Sequence, residues 1–141
     1  NSLFDVCKEH PGITYHGAVP NSEIRLALQK SHIFGYPSTW PETSCLAVIE
    51  AMSAGCTVVH PNLAALPETT GDMCMMYPFD ENPQLHAQKF FHTLRQAIHV
   101  TMAGGDYSRH LEFIKSQTDG KYGWQSRATQ WNYLLQHLLS S

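Results

Sequence analysis

Short apolar runs and amphipathic stripes alternate along the first 80 residues, and beyond them only stripes continue. Ile13 to Val19 predicts a strand, and Asn21 then caps a helix whose Ile24, Ala27, Leu28 and Ser31 share one face. Ile33 to Tyr36, Thr57 to His60 and Met73 to Tyr77 are short apolar runs suited to strands covered on both faces. Between them, residues 44–54 predict a helix stopped by Gly55, and Leu63 to Thr70 a helical turn. This βαβ alternation implies an α/β fold, a doubly wound parallel sheet.

After Pro83 the period is helical to the end. Ala87, Phe90, Phe91, Leu94, Ala97 and Ile98 form one apolar stripe, which Gly104-Gly105 break. Tyr107, Leu111 and Ile114 mark a second helix, and Trp124, Ala128, Trp131, Leu135 and Leu138 a third. The last stripe predicts core positions for Trp124 and Trp131. Residues 1–80 thus read as a sheet part, and 83–141 as a helical part.

Composition narrows the function. The 141 residues suffice for one domain, charged residues are 15% and the formal net charge is -3. The absence of a basic stripe argues against nucleic-acid binding. Cys7, Cys45, Cys56 and Cys74 form no C-x-x-C pair and read as reduced thiols, which points to the cytoplasm, free or at a membrane surface. The sequence shows neither a signal peptide nor an apolar run of membrane-spanning length. Cys7-x2-His10 and the pair His92 and His99 lack further ligands at metal-site spacing, so no metal and no cofactor are expected. His16 and His60 fall at the carboxyl ends of strands, and a satisfied structural role is the better reading of both.

The candidate chemistry sits around residues 37–59. Glu50 interrupts an otherwise apolar run, Leu46 to Ala54, in which Ser53 is the only other polar residue, and a carboxylate is rarely buried without a partner. Thr43 or Ser44 is suited to cap this helix, which would leave the amides of Ser44, Cys45 and Leu46 pointing outward at the positive end of the dipole. Such a helix start suits phosphate. Glu42 precedes it and Glu50 lies about six residues inside, roughly 9 Å along the axis. A diphosphate at the helix start would put polyhydroxylated groups near both carboxylates, the shape of a nucleotide sugar. Trp40 has two readings, a stacking platform for sugar or base and an anchor for the loop.

The residues Pro37-Ser-Thr-Trp-Pro-Glu-Thr-Ser-Cys-Leu-Ala-Val-Ile-Glu-Ala-Met-Ser-Ala-Gly-Cys-Thr-Val-Val59 resemble the E-x7-E signature of the retaining glycosyltransferases of family 4, which have the two-domain GT-B fold. Ile13 to Pro20 is similar to that family's strand ending in Gly-x-Val. Tyr36-Pro37-Ser38 is similar to its Pro-Ser loop, and Leu66-Pro67-Glu68, Gly71 and Met73 to Tyr77 continue the order, so the resemblance covers about residues 13–80. It implies a carboxyl-terminal, Rossmann-like domain that binds a nucleotide diphosphate sugar for transfer to the hydroxyl of an unknown sugar, lipid or protein acceptor. By the same resemblance Glu42 faces the donor sugar at the reacting carbon, and Glu50 holds the ribose. The backbone amides of Ser44, Cys45 and Leu46 take the diphosphate, with the Thr43 and Ser44 hydroxyls as further donors, and Val19 borders the base.

The departures from the family pattern carry expectations too. Thr43-Ser44-Cys45 stands where Gly-Phe-Gly is usual, and Ala64-Ala65 replaces a glycine pair. The pattern's first βαβ unit, with its Gly-Arg and Lys, has no counterpart in residues 1–141, and Lys8, Arg25 and Lys30 fall on or next to other helices. A partial donor-binding domain is therefore expected, inactive alone, with a rearranged sheet or a homo-oligomer paired through exposed strand edges. Two other functions fit the same residues: a non-catalytic nucleotide-binding or assembly module, and a nucleotide-sugar epimerase on this fold.

Overall fold

In the computed structural model, which describes residues 2–140, the centre of the molecule is a strand buried along its whole length, β2 (Thr57–Pro61). It lies between β1 (Ile33–Gly35) and β3 (Met75–Tyr77), parallel to both, with Phe34 opposite Val58 and His60 opposite Met76. The expected α/β architecture is present, as a three-stranded parallel sheet with helices on both faces.

The period of two explains the layers. Val58 points into a cluster with Val48, Ala51 and Met52 of α3 (Leu46–Ser53), Leu66 of α4 (Leu66–Thr70) and Ile114 of α6 (Asp106–Tyr122). Val59 points the other way, to Tyr77 and to Ala97, Phe90 and Leu94 of α5 (Pro83–Ala103). α5 crosses so close to β1 that a side-chain carbon at Gly35 would sit 3.0 Å from the Phe90 ring. All four cysteines are free thiols, and the Cys56 Sγ donates to the Leu28 carbonyl oxygen at 3.3 Å, tying the end of α2 (Asn21–Lys30) to the core. No helix among the described residues is long and apolar enough to cross a membrane.

Three expectations fail at the edges of this slab. Residues 13–19 form no strand; they follow α1 (Leu3–Glu9), and Tyr15 packs against Phe4 with ring centroids 5.7 Å apart while Lys8 sits over its ring. A strand needs a hydrogen-bonded neighbour, and among the described residues this segment pairs with neither edge strand of the sheet, β1 or β3. The helix of residues 21–30 forms, with Pro20 and not Asn21 as its cap residue. At the other end α7 (Trp124–Leu139) has the predicted period, yet Trp124 and Trp131 are 89% and 62% exposed and are not core residues. Among the described residues α7 packs mainly against α6. Asn1 and Ser141, the outermost residues of the domain expectation, lie outside the described residues.

Candidate functional site

The parallel register brings Gly35, Pro61 and Tyr77 to one end of the sheet. The segment that leaves β1 there, residues 36–45, carries Glu42 and feeds directly into α3. Its two ends are anchored by the half-buried Tyr36 and the buried Cys45. Tyr36 stacks on Phe34, with centroids 5.8 Å apart, and Cys45 is buried in the α3 cluster.

The helix starts later than expected. Cys45, not Thr43 or Ser44, is its cap residue, and no side chain caps it. The ladder begins with Ile49 N donating to the Cys45 carbonyl at 3.1 Å, so the amides of Leu46, Ala47 and Val48 lie outside it, in place of the expected Ser44, Cys45 and Leu46. The cause is packing: burying the Cys45 thiol fixes its backbone in an extended conformation, and helix can begin only after it. Thr43, Ser44 and Leu46 are exposed around this start. Glu50 consequently lies four residues beyond the first helical residue, about 6 Å along the axis.

Each glutamate has a partner that the sequence pattern does not single out. The Tyr36 hydroxyl donates to the Glu42 Oε1 at 2.7 Å, and the Glu42 carbonyl accepts from Ala65 N at 3.1 Å. Burial, with the neighbouring Cys45 and Glu42, raises the Tyr36 pKa well above the ordinary phenol range, so the phenol remains a donor. Ala64, beside this contact, is held at φ 49°, a left-handed conformation that disfavours a side chain. That is where the glycine pair of the family pattern is missing.

Glu50 is met from α2. Arg25 donates to its Oε1 through Nε at 3.2 Å and Nη2 at 3.1 Å, and the Asn21 Nδ2 lies 3.4 Å from Oε1 and 3.3 Å from Oε2. Although Arg25 belongs to another helix, as the sequence predicts, it is the cation beside Glu50. A signal is present in the sequence: Asn21, Arg25 and the buried Leu28 stand at spacings of four and three, one face of a helix. The Asn21 contact also brings the turn after Val19, itself half-buried, to the side of Glu50.

An open groove of about 670 Å³ runs beside this pair, walled by Leu28, Ile49, Tyr122 and Trp124. Among the residues expected to form the site, Glu50 lines it, and Glu42, Thr43, Ser44, Cys45, Leu46 and Val19 do not. Trp40 is exposed, and His60 is buried with Nδ1 2.9 Å from the Pro61 carbonyl oxygen. No cluster of metal-ligating side chains occurs among the described residues. What the arrangement offers chemically is one carboxylate held by a neutral phenol, a second held by a guanidinium and an amide, and unladdered helix amides between them.

Residues 2–96 match the family model of the group 1 glycosyl transferases. The chain is 40% identical over 60 residues to the O-antigen chain mannosyltransferase B of Escherichia coli, a match covering 43% of this chain and 16% of that protein. It is 39% identical over 56 residues to a phosphatidylinositol N-acetylglucosaminyltransferase component of Arabidopsis thaliana, covering 40% of this chain and 12% of that one. The chain thus spans well under a fifth of these curated relatives. No solved structure matches it.

Proposed function

Because the chain belongs to the group 1 glycosyl transferases, we propose that it is the donor-binding part of a retaining, GT-B type enzyme and binds a nucleotide diphosphate sugar. Residues 1–141 are then a part of that domain, with the site in the sheet part. Glu50 hydrogen-bonds the ribose hydroxyls, Glu42 faces the donor sugar, and the start of α3, flanked by Thr43 and Ser44, takes the diphosphate. In this arrangement the amides of Leu46, Ala47 and Val48 replace those expected from the sequence, while Cys45 serves as the buried pivot. Val19 borders the base. The two relatives are named for mannose and N-acetylglucosamine transfer, so hexose and N-acetylhexosamine donors are the first to test.

The observation that carries this reading is the approach of the Asn21 Nδ2 to within 3.3 Å of Glu50, because it joins the turn after Val19 to the helix of the second glutamate. Base, ribose and diphosphate would then follow one another along a continuous surface. The test is calorimetric titration of uridine and guanosine diphosphate sugars into the chain. Glu50→Gln should weaken the bound donor, and its sugar-free nucleoside diphosphate equally, by about 1.5–3 kcal/mol through lost charged hydrogen bonds. Unchanged affinity for the nucleoside diphosphate would remove Glu50 from the ribose site.

A further inference from the structure

Glu50 does not present two equivalent oxygens. An ionised carboxylate has about four acceptor positions, two on each oxygen. Oε1 receives both Arg25 nitrogens and shares the Asn21 amide, whereas Oε2 receives that amide alone, at 3.3 Å. Among the described residues no other donor reaches Oε2. Arg25 and Glu50 both line the open groove, so the pair is accessible from outside the fold.

We propose that Arg25, assisted by Asn21, is a positioning residue that occupies one oxygen of Glu50 and leaves the other for the ribose diol of the nucleotide. This rests on the reading of Glu50 given above. α2 is suited to the task because the clamp shares a helix face with Leu28, whose side chain is buried in the α3 cluster and whose carbonyl accepts from Cys56. Docking that one residue sets the rotation of α2 and aims Asn21 and Arg25 at α3. The guanidinium also keeps a negative charge beside the groove from standing alone, which lets Glu50 remain an acceptor for hydroxyls.

A positioning role and direct phosphate binding by Arg25 predict different binding patterns. Uridine and guanosine diphosphates, and their dideoxyribose counterparts, are titrated into the wild-type chain and into Glu50→Gln, Arg25→Ala and Arg25→Lys, with melting temperatures recorded for each. The wild type should prefer the ribose form of at least one nucleotide by about tenfold, and Glu50→Gln should abolish the preference. Arg25→Ala should cut it by at least about threefold while leaving the dideoxy affinity within about twofold, and Arg25→Lys should restore part of it. Equal weakening of both forms by Arg25→Ala would make Arg25 a phosphate ligand and overturn the proposal, as would an unchanged preference. If the wild type shows no preference, or Glu50→Gln keeps it, the ribose reading itself falls and the positioning role with it; loss in Glu50→Gln but not in Arg25→Ala sinks the positioning role alone.

Discussion

The slab around β2 and the amino-terminal thirty residues both carry large apolar side chains and are opposite in burial. Every residue of β2 is buried, and Val48, Ala51 and Met52 of α3 lie against it. In residues 2–30 Leu28 alone is buried, while Leu3, Phe4, Ile13, Tyr15, Ile24 and Leu26 are exposed. The presence of large apolar residues therefore does not by itself decide burial. What does is pairing: β2 pairs with β1 and β3, its neighbours in sequence, each crossover laying a helix on the sheet, whereas residues 13–19 pair with neither edge strand among the described residues. The two glutamates divide along the same line. Glu42 is held from within the slab by Tyr36, and Glu50 is held across its border by α2.

The largest test of this contrast is a pair of truncations. Met52, on the buried face of α3, is 1% exposed, so Met52→Ala should destabilise by about 2–5 kcal/mol, combining lost transfer energy with a residual cavity. Leu26, on α2, is 56% exposed, and Leu26→Ala should stay within about 0.5 kcal/mol. Urea unfolding measures both. Comparable losses would mean that α2 is as firmly embedded as α3.

A smaller effect is expected where the slab holds its carboxylate. Tyr36→Phe removes the hydroxyl that donates to Glu42 at 2.7 Å and should cost about 1.5–3 kcal/mol, the range for a hydrogen bond to a charged group. Glu42→Gln weakens the same contact, so the two losses should not add. Additive losses in the double variant would show that the Tyr36 hydroxyl and the Glu42 carboxylate contribute independently of each other.

These residues also show what sequence can and cannot deliver. The three strands of the slab are legible because short, continuous apolar runs bounded by turns are what a doubly covered parallel strand requires. Residues 13–19 have a comparable pattern, yet pairing is decided by a partner elsewhere, which no local pattern encodes. The start of α3 falls two residues later than the pattern predicts because Ser44 has the better capping chemistry, while Cys45 has the burial, and burial prevails. Trp124 and Trp131 mark the apolar face of α7 correctly; periodicity says which face is apolar, not whether anything covers it. Both glutamates stand out by their spacing, whereas Tyr36 and Arg25 emerge only when strand end and helix face are set against them.

The smallest predicted effect probes the slab through its one fully buried imidazole. His60, in β2, has Nδ1 2.9 Å from the Pro61 carbonyl oxygen, and its Nε2 is buried with no hydrogen-bond partner. Burial lowers its pKa below the ordinary 6.5, although the Pro61 carbonyl and the charge of Asp72 pull the other way. The direction fixes the sign. Just below pH 6.5 the unfolded chain takes up a proton that the native imidazole refuses, so native stability is full above pH 6.5 and declines as the pH falls toward the lower folded pKa. One proton limits the slope to about 1.4 kcal/mol per pH unit. Thermal melts from neutral to mildly acidic pH should therefore show a decline that His60→Asn reduces, the amide keeping a donor near the Pro61 carbonyl without a titrating nitrogen. A decline unaltered in His60→Asn would break the comparison, placing the pH-sensitive packing outside β2.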